Sequence, residues 1–215
     1  MTCSQCQSGG ANVFSEGQAT SQLKRFRKKG PRKTTRLLLN ALTGEGVEGQ
    51  TLLDIGGGIG AISLSLLTSG VTTATEVDAS SAYAHTARAE AAQRNMSDRF
   101  TCREGDFVAL AEDIPVAGIV TLDRVICCYP NMPALVGQSA AKAARLYGAV
   151  YPRDLWWTRA SSKVMNFVSR LFRSPLRNYI YPTAAVDAII RDSGLTPRVQ
   201  RNAGYWQVVV YARPA

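Results

Sequence analysis

Hydrophobic positions along this chain change their period several times, and those changes divide it. Between residue 18 and about residue 42 the apolar residues are spaced as on helices, with a break at Gly30-Pro31, so two helices are expected there. From Thr51 onward, short apolar runs alternate with longer Ala-rich stretches. "TLLDI", "TTATEVD", "FTCREGD", "GIVTLDRVI" and "YGAVYPR" read as strands. "AISLSLLTSG", "SSAYAHTARAEAAQR" (capped by Ser80 or Ser81) and "MPALVGQSAAKAARL" read as the helices of that alternation. This rhythm predicts a parallel, doubly wound sheet of the α/β class, because parallel neighbours need a crossover. The rhythm stops late in the chain. A last helix, "TAAVDAIIRDSG", is followed by "RVQRNAG" and "YWQVVVYARP", two strands with no helix between them, which must pair antiparallel. The expected organisation is a tail over 1–17, a helical arm over 18–48, and a main domain over 49–215 with a helical insertion at about 154–182.

Composition changes this picture little; charge changes it more. A chain of 215 residues with 46% hydrophobic and 19% charged content can bury one core without staples. Its five cysteines are an odd number and two are adjacent, and the first thirty residues hold no apolar signal segment, so a reducing, cytoplasmic location is expected. No window approaches the roughly 18 consecutive apolar residues of a membrane span, so any membrane contact would be peripheral. The formal net charge of +9 is concentrated. Lys24, Arg25, Arg27, Lys28, Lys29, Arg32, Lys33 and Arg36 lie together with no acid among them, and the rest of the protein is near neutral. A second acid-free run holds Arg159, Lys163, Arg170, Arg173 and Arg177. Each run reads either as a solvated helix face or as a mouth that attracts anions. Within the second, "KVMNFVSRLFR" puts Val164, Phe167, Val168, Leu171 and Phe172 on one helical face. Such a stripe most often packs on the core; it would also suit an apolar lid or a helix lying on a membrane, with Trp156 and Trp157 as neighbours.

The chemistry-bearing stretch is Asp54-Ile55-Gly56-Gly57-Gly58-Ile59-Gly60-Ala61, between the first strand and its helix. Glycines there let the backbone turn sharply and approach a ligand, and the helix start offers free N–H groups. Asp78 closes the second strand and Asp106 follows the third. Asp78 stands where a ribose diol would be held. Asp54 would repel a pyrophosphate but suits a ligand carrying an ammonium and a sulfonium. This order of an acid, GxGxG and two further acids resembles the class I S-adenosylmethionine-dependent methyltransferases over roughly residues 50–215, including the terminal hairpin. The resemblance implies a Rossmann-like fold of about seven strands and S-adenosylmethionine as cofactor. It assigns Gly56, Gly58 and Gly60 to the methionine part, Asp78 to the ribose and Asp106 with Phe107 to the adenine; Asp54 joins this cofactor set, as does Leu122, which stands after strand four beside the methyl group. The pieces "YPR" and "RLFRSPLRNYIYPTAAVDAII", with the basic arm, are more loosely similar to magnesium-protoporphyrin O-methyltransferases, which implies a small, amphipathic or anionic acceptor. Taken one by one, the glycines could be packing turns and the acids caps, but their joint order is left unexplained that way.

Ligands of such a sheet meet outside the carboxyl ends of its strands. That places Asp123, Arg124 and "ICCYPN" after strand four, and Tyr151, Arg153 and Trp156 after strand five, beside the methyl group. The expected acceptor set is Cys127, Cys128, Tyr129, Tyr151, Arg153 and Trp156, with both basic segments as lids. Methyl transfer is an in-line displacement that positioning can largely accomplish, so a base is needed only if the acceptor arrives protonated. The sole histidine, His85, lies inside a helix and is a poor candidate. The acceptor is then a carboxylate, paired with Arg153, or a group relieved of its proton by Asp123 or Tyr129. Adjacent cysteines bridge each other only with strain. Cys127 and Cys128 therefore read as pocket lining, ahead of buried structural thiols or chemistry at sulfur, while Cys102 reads as core. Cys3 and Cys6 form a CxxC that is half a zinc site at most, and no metal site is expected. Three other classes remain: a nicotinamide oxidoreductase, which Asp54, Asp106 and the hairpin oppose; a nucleic-acid methyltransferase, which the arm favours but "CCYPN" does not; and a non-catalytic binding module.

Overall fold

The computed structural model describes residues 15–174 and 176–214. The cysteine pair Cys3 and Cys6 lies outside the described residues. Helix α1 (Glu16–Lys29) starts at Ser15, whose hydroxyl accepts the Gln18 N–H at 3.4 Å. It stops at Gly30, which takes a φ of 69° and returns its N–H to Phe26 O at 2.8 Å. Pro31 cannot continue the helix, and α2 (Lys33–Gly44) sets off afresh.

The sheet then builds as the alternation demands. Strands β1 (Thr51–Ile55), β2 (Thr73–Asp78), β3 (Phe100–Glu104), β4 (Ala117–Asp123) and β5 (Ala143–Pro152) are mutually parallel. β6 (Thr196–Ala203) and β7 (Trp206–Ala212) form the antiparallel hairpin, giving the order β3-β2-β1-β4-β5-β7-β6. Between the strands run α3 (Ala61–Thr68), α4 (Ser81–Gln93), the single turn α5 (Phe107–Leu110), α6 (Met132–Ala141), α7 (Trp156–Leu171) and α8 (Thr183–Asp192). Each sheet face carries its own core, because alternate side chains of a strand point to opposite faces. Leu53, Ile55, Val120 and Tyr147 meet α6 and α8 on one face; Leu52, Ile119, Leu146 and Val150 meet α2, α3 and α4 on the other.

Three boundaries differ from the expected ones. The helix expected over 132–146 ends at Ala141, and β5 claims Ala143 onward. Ala143 and Leu146 pair with Ala117 and Ile119, and the Arg145 guanidinium donates to the Glu45 and Gly46 carbonyls, so sheet pairing overrides helix propensity there. Strand β4 ends at Asp123 rather than running through Ile126: Arg124 turns left-handed with a φ of 64°, and Ile126–Cys128 form a 3-10 turn. The arm also divides. Leu38, Leu39 and Leu42 of α2 are buried against β5 and β7, and a Cβ on Gly148 would lie 2.8 Å from Leu38. α2 packs mainly on the core, with Thr35 of its first turn at the end of β4, and α1 lies over the carboxyl ends of the strands.

Candidate active site

The glycine turn after β1 is folded tightly onto its neighbours. Gly56 and Gly58 take φ of 64° and 65°, which L side chains rarely adopt. A Cβ on Gly56 would lie 2.5 Å from Val125, and one on Gly57 2.5 Å from the Glu76 carboxylate. Asp78 receives the Gly58 N–H at 2.9 Å and the Ser80 N–H at 2.8 Å. Burial pushes its carboxyl up while those two N–H groups pull it back.

Asp54 is almost fully buried and accepts hydroxyls from Thr121 (2.7 Å) and Ser63 (3.1 Å). Burial raises it to about 7, against the pull of both hydroxyls. Close to neutrality it is therefore poised between acid and carboxylate, and a cation arriving beside it would favour the carboxylate. Glu76, directly under the glycine turn, was not singled out in the sequence. Burial first, and then the charges of Asp54 and Asp78, push it well above the usual range. The available signal was that Glu76 shares a strand face with Asp78, two residues further along β2.

Asp106 caps α5 through the Val108 N–H at 3.0 Å and accepts the Tyr129 hydroxyl at 3.0 Å on each oxygen. Tyr129 is thus held toward Asp106, and its backbone oxygen accepts from the Tyr181 hydroxyl at 2.7 Å. Asp123 accepts the Thr35 hydroxyl at 2.5 Å and pairs with Arg124 at 2.9 Å. Cys127 and Cys128 place their sulfurs 3.7 Å apart, and the contact with Cys128, followed by burial, pushes the Cys127 thiol well up. Neither geometry nor acidity favours a thiolate at Cys127.

These groups enclose a cavity of about 310 Å³, at the lower end of the usual range for small-ligand sites. Of the expected residues, Asp54, Gly56, Gly58, Asp78, Asp106, Phe107, Asp123, Cys128 and Tyr129 line it. Six do not. Gly60 sits behind the turn against Leu64 and Ala87, Leu122 and Cys127 are buried, and Tyr151 is in the core with no hydrogen-bond partner for its hydroxyl. Arg153 reaches back to the Gly204 carbonyl at 3.5 Å, and Trp156 faces solvent. β5 runs to Pro152 inside the sheet, so residues expected at its open end are carried away from the cavity.

The far wall comes from α1, the hinge after it and the first turn of α2: Gln22, Arg25, Phe26, Gly30, Pro31, Arg32 and Thr35. Phe26 and Ala19 cluster with Ile59 and Tyr83. The Gln22 amide donates to the Tyr83 hydroxyl at 2.5 Å, and Arg27 pairs with the buried Glu90 at 2.5 Å. His85 is exposed on α4, outside this cavity. Among the described residues no three His, Cys, Asp or Glu side chains come together in a way that could hold a metal ion.

A tight glycine turn, one acid under it and one acid closing each of the next two strands form a cradle for a zwitterionic nucleoside, and the residues present fit it. The family model for the methyltransferase small domain matches residues 18–121, from α1 through β4. The sheet order and its antiparallel terminal hairpin give the Rossmann-like methyltransferase fold. A search of curated proteins finds no match. Among solved structures, magnesium protoporphyrin IX methyltransferase (ChlM) from Synechocystis PCC 6803, with bound SAH, is similar with a TM-score of 0.67 at 18% identity, covering 84% of this chain and 82% of that one. An O-methyltransferase family protein from Burkholderia thailandensis gives 0.67 at 16% identity over 84% and 56%. PH1948 from Pyrococcus horikoshii, described as a putative RNA methyltransferase, gives 0.60 at 11% identity over 85% and 84%. At these identities the likeness is one of fold. Among the described residues no helix is long and apolar enough to cross a membrane.

Proposed function

We propose that the protein methylates an oxygen of a small anionic acceptor, a carboxylate above all. The observation that carries this reading is the convergence of three guanidiniums on one cavity. Arg25 and Arg32 come from the lid side and Arg124 from the end of β4. They are close enough that Arg32 is lowered by burial and then by repulsion from Arg124 and Arg25, with Asp123 the main counterweight. Asp123 is committed to Arg124. On the lid side Arg25 and Arg32 have no ion pair among the described residues, and their charge favours an anionic ligand there.

In this reading Asp54, Asp78 and Asp106 hold the donor, which supplies an electrophilic methyl group on a sulfonium. Arg25 and Arg32 orient the acceptor carboxylate, and α1 closes over both and excludes water. An ionised acceptor needs no base, so Tyr129 positions Asp106, and Asp123 orients Arg124. Cys128 shapes the wall. Arg153 is replaced in the anion-binding role by Arg25 and Arg32. The free thiols Cys102, Cys127 and Cys128 suit a reducing compartment, and we place the protein in the cytoplasm.

The test is transfer of labelled methyl from S-adenosylmethionine to an extract of small metabolites. A methyl ester releases its label as methanol in mild alkali, whereas an ether or amine product retains it. Arg32→Ala should raise the acceptor KM with kcat largely kept. The second reading, an RNA acceptor, is favoured by the exposed Lys24, Lys28, Lys29, Lys33 and Arg36 on α1 and α2. Label that ribonuclease removes, and that is lost in high salt, would establish it instead.

A further inference from the structure

Helix α7 is built with its polar side inward. Thr158, Ser162, Asn166 and Ser169 recur at helical spacing and face the protein. The Ser162 hydroxyl donates to Asn178 O at 2.7 Å. The Asn166 amide donates to the same oxygen at 2.8 Å, and the Asn178 N–H returns to Asn166 Oδ1 at 2.8 Å. The opposite side is apolar and faces solvent: Trp156 is 82% exposed, Val164 64%, Phe167 69%, Leu171 69% and Phe172 76%. Large aromatic and aliphatic groups gathered on one open face mark an interaction surface. None of them lines the cavity described above.

Charge narrows the choice of what covers this face. Lys163, Arg170 and Arg173 are exposed along its border, and none of them has an ion pair among the described residues. The chain carries no acid from Leu155 to Val186. A second copy docked face to face would bring this cation row toward itself, so a symmetric dimer is disfavoured. At about 1.5 Å per residue the 16-residue helix is too short to span a bilayer and can only lie along it. An apolar stripe with a tryptophan at one end and cations at its edge matches the interface of a bilayer with negative headgroups.

We propose that α7 docks on the surface of an anionic lipid bilayer, with Trp156, Phe167 and Leu171 in the acyl boundary and Lys163, Arg170 and Arg173 on the headgroups. The proposal does not depend on which acceptor is methylated. It is tested with the full chain and vesicles of phosphatidylcholine containing phosphatidylglycerol, the phosphatidylcholine acyl chains brominated to quench tryptophan. The protein should sediment with these vesicles at low salt and much less with phosphatidylcholine alone. Its tryptophan emission should be quenched, and Trp156→Phe should remove most of that quenching. The double variant F167S/L171S should lower vesicle affinity about tenfold or more with the thermal midpoint unchanged, because both side chains leave water only on docking. Failure of the wild-type chain to bind anionic vesicles overturns the proposal. So does binding without quenching, which would assign it to the basic residues of α1, or light scattering that shows a dimer undone by F167S/L171S.

Discussion

Helices α1 and α7 share a description: both are basic, both amphipathic, and both stand on the mouth side of the sheet. They are nevertheless seated in opposite ways. α1 turns Ala19 and Phe26 inward onto Ile59 and Tyr83 and is clamped by Arg27 on Glu90. α7 turns Ser162 and Asn166 inward and leaves Phe167 and Leu171 in water. The difference lies in the surface each one meets. Under α1 the chain offers rings and aliphatic carbons. Under α7 it offers the backbone of Asn178, whose N–H and C=O demand hydrogen-bond partners before anything apolar can cover them. An amphipathic pattern states that a helix has two faces; the neighbour decides which one goes inside.

Substitutions on the two helices can break this contrast. Phe26→Ala should cost about 3 kcal/mol in a denaturant titration, since a buried ring is lost from the α1 seat. An effect near zero would mean that α1 is not seated in solution. Asn178→Ala should come next, at about 1–2 kcal/mol, because Ser162 and Tyr205 lose the Asn178 side-chain amide; hydrogen exchange should locate the loosening in α7. Glu90→Ala should loosen α1 alone, read as faster tryptic cutting at Lys28 and Lys29. The same anchor has a pH signature. Burial pushes the Glu90 carboxyl up, but hydrogen bonds from Arg27 and Arg94 outweigh it and hold it below its ordinary value. Its stabilisation is therefore complete above about pH 4.3 and is lost as pH falls through the lowered value, so cutting by an acid protease should increase there at α1 and not at α7. Smallest of all, Phe167→Ala should stay within about 0.5 kcal/mol of the parent; a loss matching that of Phe26→Ala would erase the distinction.

Local chemistry was legible in the sequence, and distance was not. Asp54, Gly56, Gly58, Asp78 and Asp106 could be placed because each lies at or just past the carboxyl end of a strand and the strands are parallel, so their ends share one side. The hairpin was legible because β6 and β7 leave no room for a crossover. Arg153 and Trp156 were misplaced because nothing local shows that β5 stays paired with β7 as far as Pro152. Glu76 was missed because an acid in an alternating strand reads as exposed until Gly57 is seen resting on it. The arm looked continuous in charge, yet α2 carries Leu38 and Leu42 at core spacing and α1 carries only Phe26 and Leu23.

The joint at Gly30-Pro31 has a kinetic consequence. Gly30 lines the cavity, carries a φ of 69°, and separates a helix fixed in the core from one held by a few contacts. In the function proposed above such a joint would let α1 swing as a unit, and departure of the spent nucleoside would then be a separate event with its own barrier. Each 1.4 kcal/mol added to the α1 seat would slow that departure about tenfold. On that reading a variant with a weaker α1 seat should hold its donor less tightly, and where lid opening limits turnover it should also turn over faster.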